Sequence, residues 1–250
     1  MSKAPRRGVA LILEGLVVIV SILAAFLLEG WRADAELARE LEQELASVGV
    51  ELERNRDLIA AELIALDRVA TAGAALAGAL REAPGSTVSV PDTLVYLGAQ
   101  WHPSFSPSLG ALDALISTGR LAQVQGTDLR LGLAGLRELV NDALEEELFA
   151  RQVGVEQLLP LIGEEADLTP VAEIAAVHLT LNGSEGLTPQ ERNGGRPVPG
   201  AGPMTIPNTP SVRNALLRRN MWLTGALAEF TRLHSHVGDL IELIPASDGA

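Results

Sequence analysis

One stretch limits this chain more than any other: from Gly8 to Leu28 it reads GVALILEGLVVIVSILAAFLL. It contains a single charge, Glu14, and a single hydroxyl, Ser21. As a helix at about 1.5 Å per residue it extends roughly 31 Å, which matches a hydrocarbon core of about 30 Å. A buried core helix and a secretory signal peptide are the rival readings. The run exceeds the roughly 18 residues expected of a spanning segment and the 7–15 of a signal core, and no clean small-x-small cleavage site precedes Trp31. Lys3, Arg6 and Arg7 precede it, whereas Arg32 on the far flank is mixed with Glu29, Asp34 and Glu36. The positive-inside rule predicts a cytoplasmic tail at 1–7, a transmembrane helix at 8–28 and an extracytoplasmic domain at 29–250, in the periplasm if the membrane is a bacterial inner membrane. Arg6, Arg7 and Trp31 are the expected interfacial anchors.

Beyond the anchor the pattern is amphipathic. Leu37, Leu41, Leu45, Val48, Leu52, Ile59, Leu63, Leu66, Val69, Leu76 and Leu80 recur at three- and four-residue steps. They predict a helix continuous with the anchor, weakened near Asn55 and ending before Pro84-Gly85. Such a helix would hold the following domain rigidly to the membrane. A short helix is expected from Pro91 to Ala99. Ser106-Pro107 should open another that Gly119 ends, with Leu121 folding back onto the core. Thr127-Asp128 opens a longer helix closed at Pro160-Leu161. Thr169-Pro170 starts one reaching about Leu181, and Thr209-Pro210 starts the last, stopped by Pro245. Residues 182–208, rich in Gly and Pro, read as a long irregular loop. Thr87 to Val90 is the only β-like stretch. The expected fold is all-α, a helical bundle in which the first and last helices are neighbours.

Composition supports helix over sheet. The hydrophobic fraction is 47% but aromatics are only 3%, and Ala, Leu and Val supply most of the apolar content. A net charge of −13, with Lys3 the only lysine, makes nucleic acid a poor partner. The absence of Cys excludes disulfides, thiolate metal sites and a Cys nucleophile.

Glu14, Ser21 and Trp31, in that order along an Ile/Val/Leu-rich span, resemble the opening of the DUF6090-like group of bacterial single-pass membrane proteins of unknown function. That group usually has Gly where this chain has Ser21. Phe105-Ser106-Pro107, Leu112, Leu115 and Ser117-Thr118-Gly119-Arg120-Leu121 resemble a second stretch of the group, and the last amphipathic helix is similar too. The resemblance implies an inner-membrane anchor with a helical periplasmic domain. The group has no established activity, so no catalytic residue carries over.

An ionisable group inside a membrane span is a functional hypothesis by default. Glu14, Val18, Ser21 and Ala25 share one helix face, and small and polar residues on a stripe favour close helix contact in lipid. Two readings of Glu14 stay open: contact with a partner helix, or a carboxyl that is protonated or tilts to the near headgroups. Trp101 and Phe105 either fill the end of the bundle or form a docking surface. His234 and His236 point in opposed directions on a helix and cannot share a metal, and His102 and His178 lie in other segments. Glu145-Glu146-Glu147 reads as a solvated face. There is no phosphate loop, GxSxG or HExxH. No cofactor or metal is expected.

The sequence thus points to a non-catalytic accessory subunit. It would dock through its membrane helix into a larger inner-membrane complex, of which a photosynthetic or respiratory one is an example, and brace the periplasmic side. Partners would be membrane lipid and other transmembrane subunits, or a second copy of the chain in a homo-oligomer. The alternative is a periplasmic ligand-sensing or adaptor protein signalling through a partner, since a seven-residue tail cannot hold a signalling domain.

Overall fold

The computed structural model describes residues 5–83, 85–182 and 202–244, with side chains at 16–83, 85–178 and 202–244. The chain separates into two units, one up to Ser47 and a larger one, Val48–Pro245. Helix α1, Pro5–Glu82, belongs to both. No proline follows Pro5 within it, and Ala, Leu, Glu and Arg, all good helix formers, fill most of its length. Its apolar N-terminal part is exposed on every side from Leu16 to Trp31.

In the larger unit, strand β1 (Thr87–Pro91) is followed by α2 (Asp92–Val95), a π-helical turn (Tyr96–Gln100) and α3 (Gly110–Ser117). A 3-10 turn (Arg120–Gln123) leads to α4 (Thr127–Gln152), a second π-helical turn (Val153–Leu158) and α5 (Leu159–Gly163). Then come α6 (Thr169–Asn182), strand β2 (Pro203–Pro207) and α7 (Pro210–Leu243). The core lies between α1, α4 and α7, where Leu66, Leu76, Leu133, Leu136, Phe230 and Leu233 are buried. Thr209 caps α7 as its sequence predicts, its side chain accepting from Val212 N–H at 3.3 Å. The first and last helices are neighbours: a Cβ on Gly49 would lie 3.7 Å from Ile244, and one on Gly73 would collide with Asn220.

The chain is mostly helical, but the all-α expectation needs correction. β1 and β2 pair antiparallel with Thr87 opposite Pro207 and Pro91 opposite Pro203. The 182–208 loop expectation is therefore wrong at both ends. Asn182 completes α6 and Pro203–Pro207 is a strand, while 183–201 lie outside the described residues. Prolines at the ends of β2 conceal it from a run-based reading, yet a strand end tolerates the missing N–H. Val90, Met204 and Ile206 turn one face of this ribbon into the core. Asp92 closes it, its Oδ2 accepting from Gly202 N–H at 2.9 Å.

Three further expectations shift. Ser106-Pro107 does not start a helix; α3 begins at Gly110 because its cap comes from α1. The Glu51 carboxylate accepts from Ala111 N–H at 3.0 Å and Leu112 N–H at 3.2 Å. Asn55 does not weaken α1. It is buried, and its amide donates to Ser108 O at 2.6 Å while accepting from Ser108 N–H at 3.0 Å. Pro160 does not close the α4 segment, because the π-helical turn places it in the first turn of α5, where a missing N–H is harmless. Gly119 does end α3, with φ 74° in the left-handed region. The residue buried beyond it is Val124, not Leu121, which is only half-buried.

The end of α1 is held by Asn208. Its side-chain amide reaches the carbonyls of Leu80, Ala83 and Gly85 at 2.9, 3.0 and 3.2 Å, and its own N–H donates to Ser86 O at 2.6 Å. Asn208→Ala removes the side-chain donors from buried helix-end carbonyls. We expect a loss of about 2 kcal/mol, measured as a lower urea midpoint at unchanged slope. An unaltered midpoint would mean that water replaces the amide at no cost.

Candidate functional site

Two regions concentrate chemistry. The first is the apolar part of α1. Val18, Ser21, Ala25 and Trp31 are all exposed there. Ser21 Oγ donates to Val17 O at 2.8 Å, so its hydroxyl is satisfied within the helix itself. Arg6, Arg7 and Glu14 lie on the same helix, but their side chains are outside the described ones.

The second is a set of ionisable side chains inside the larger unit, none of which the sequence reading singled out as a site. Glu62 on α1 is fully buried, and Glu147 on α4 is 9% exposed. Burial first, then the neighbouring Glu147 charge, raises the Glu62 carboxyl to about 9. Burial raises Glu147 to about 7, against the opposing pull of the Phe105 N–H that donates to it and of Arg151. Around neutral pH Glu62 therefore carries its proton while Glu147 titrates. The solvated-face expectation fails for Glu147 alone; Glu145 is exposed and Glu146 half-buried.

Arg219 on α7 is 1% exposed, and burial lowers its guanidinium to about 10. Nη1 donates to Gly98 O at 2.5 Å and Nη2 to Trp101 O at 2.6 Å, at the end of the first π-helical turn. Carbonyls at a helix C-terminus carry partial negative charge, so they are suitable acceptors for a buried cation. Gly154, in the second π-helical turn, makes the approach possible: a Cβ there would stand 2.6 Å from Ala99 O and 2.7 Å from Arg219 Nε.

Next to it, Tyr96 Oη lies 2.7 Å from His178 Nδ1, and the Trp101 ring meets the His178 ring edge-on at 5.1 Å. Burial pushes the Tyr96 phenol up; burial and then Arg68 push the His178 imidazole down. Both groups are thus neutral, and the imidazole tautomer sets which of them donates in the hydrogen bond that joins them.

Of Trp101 and Phe105, Phe105 fills the bundle. Phe105 is buried edge-on against Phe230 at 5.2 Å, and Trp101 is half-buried on His178. Two further histidines, His236 and His102, sit half-buried. His236 Nε2 lies 3.0 Å from Gly132 O, and His102 is lowered chiefly by burial. No group of metal-ligating side chains large enough to hold an ion occurs among the described residues.

A legible signal for the buried set existed in the spacing. Asn55 and Glu62 fall on the α1 stripe through Leu52, Ile59, Leu66 and Val69, as Glu147 does after Val140 and Ala143, and Arg219 between Leu216 and Leu223. On α1 the expected stripe departs from the observed one at Leu63, which is half-buried beside the buried Glu62. By its architecture this is a mostly helical protein with one long, apolar, exposed N-terminal helix. No family model matches the chain, and no curated protein or solved structure matches it either.

Proposed function

We propose that the chain is a single-pass accessory subunit of a bacterial inner-membrane complex. The N-terminus lies in the cytoplasm, α1 crosses the bilayer, and the helical unit braces the periplasmic side. The observation that carries this reading is the stretch from Leu16 to Trp31: long, apolar, and covered by no other described part of the chain. In water such a surface would cost about 25 cal/mol per Å² of apolar area, whereas lipid or a partner helix removes that cost. The basic residues before it and Trp31 after it support the orientation. The resemblance to the DUF6090-like group points the same way. A non-catalytic role is supported by Arg219, which donates to the carbonyls of Gly98 and Trp101, and by Tyr96, which pairs with His178 inside the bundle.

Alkaline carbonate extraction and protease treatment of spheroplasts test this. The chain should stay with the membrane pellet. Added protease should digest the helical unit while sparing a tag placed before Met1. Release into the carbonate supernatant, or full protection from protease, would overturn the reading. Glu14→Gln should keep insertion yet lower the mass of the complex in mild detergent; an unchanged mass removes Glu14 from the partner contact.

The second reading is a periplasmic ligand-sensing or adaptor protein that signals through a partner helix. It is favoured by a groove of about 360 Å³ between α1 and α7.

A further inference from the structure

That groove runs between the end of α1 and the start of α7. Its apolar wall is Ala77, Leu80, Leu216 and Leu217, and Arg81 and Arg213 also line it. Its volume falls in the range of small-ligand sites, about 300–1,000 Å³. Leu80 and Leu216 are buried as part of the core, whereas Leu217 is 69% exposed. A large apolar side chain left open beside an apolar groove is a surface that a ligand would cover.

The charge is unusual for this chain. Acidic residues outnumber basic ones, 32 to 19, yet neither Arg81 nor Arg213 has a carboxylate within ion-pair distance among the described residues. Arg213 is nonetheless held in place. Its Nη1 donates to Asn208 O at 2.9 Å and to Asn208 Oδ1 at 2.8 Å, the same residue that closes α1. Three further N–H donors of its guanidinium remain beyond those on Nη1. Two guanidinium groups on an apolar groove match a ligand with an apolar body and one anionic end, because a carboxylate or phosphate takes paired N–H donors from arginine.

We propose that the groove between α1 and α7 binds a medium-chain amphiphile, its single anionic head at Arg81 and Arg213 and its hydrocarbon along Ala77, Leu80, Leu216 and Leu217. Membrane anchoring is not required for this site. A fatty acid and a phosphorylated lipid fragment share the chemistry, so the test separates them.

The experiment is titration calorimetry on the full chain in phosphatidylcholine nanodiscs, with empty discs subtracted. Chain that fails to enter discs is titrated in buffer, which keeps this result separate from the membrane reading. The probes are octanoate, octyl phosphate, 1-octanol and inorganic phosphate. Saturable binding of octanoate or octyl phosphate is expected, the tighter of the two assigning the head group. 1-Octanol and inorganic phosphate should each bind at least about tenfold more weakly. Arg81→Gln, an exposed change that leaves the core intact, should weaken the anionic probe about tenfold, and Ala77→Phe should abolish its binding by filling the groove. Absence of saturable binding, equal binding of 1-octanol, or an unchanged affinity in Arg81→Gln would overturn the proposal.

Discussion

Glu62→Gln is expected to stabilise the protein at mildly alkaline pH and to flatten its pH dependence. In the folded chain the Glu62 carboxyl is raised from 4.5 to about 9, and that of Glu147 from 4.5 to about 7. Between those limits the folded state binds more protons than the unfolded state, so stability falls as pH rises. Below about 4.5 both carboxyls are protonated folded and unfolded, and their burial adds no ionisation penalty. The Glu147 contribution is lost as pH passes through about 7, and the Glu62 contribution as it passes through about 9. At about 1.4 kcal/mol per unit, the difference between pH 5 and pH 8 is on the order of 4 kcal/mol from Glu62 alone. Chemical denaturation at pH 5 through 9 measures this directly. The parent should lose stability across the series. Glu62→Gln, which keeps the shape of the protonated acid, should lose much less, its remaining fall lying between about 4.5 and 7 and levelling off above the Glu147 value. A parent whose stability does not change between pH 5 and 9 would refute the assignment of a buried, proton-holding Glu62.

Arg219→Met should destabilise by about 3 kcal/mol. The substitution preserves most of the side-chain volume, which confines the loss to the two charge-assisted bonds with Gly98 O and Trp101 O. Arg219→Lys should recover only part, since an ammonium cannot present the planar fork that spans both carbonyls. The opposing effect is desolvation of the guanidinium, visible in its lowered proton affinity. For buried charges this can approach the gain from pairing. We expect the bonds to dominate because removing the cation leaves the buried Gly98 carbonyl and the part-buried Trp101 carbonyl without this donor. Urea unfolding of the three proteins decides the matter. A Met variant as stable as the parent would show that desolvation cancels the bonds, and that Arg219 is kept for something other than stability.

Several parts of this fold were readable from local pattern. The apolar run and the three- and four-residue steps after it define α1. Thr209-Pro210 marks the start of α7, and Gly119 the end of α3. These signals succeed because a cap, a left-handed glycine or a helical stripe depends on residues within one or two turns. The misses share a different cause. β2 exists only because a segment more than a hundred residues earlier supplies its ladder, and α3 begins at Gly110 because Glu51 on another helix caps it. Asn55 reads as a helix weakness until Ser108 is placed opposite its amide.

The same division applies to the ionisable groups. By itself, the sequence determined that the N-terminal helix is long and apolar, that helices dominate and that thiol chemistry is absent. Spacing puts Glu62, Glu147 and Arg219 on the apolar stripes, but what closes over each of them, and what that does to its charge, was decided only by tertiary packing. Glu145 and Glu147 are two residues apart on one helix, yet one faces solvent and the other the core, because α1 and the Phe105 segment close over a single face of α4. A charge takes its proton affinity from the dielectric and partners around it, and those are properties of packed elements, not of neighbours in the chain.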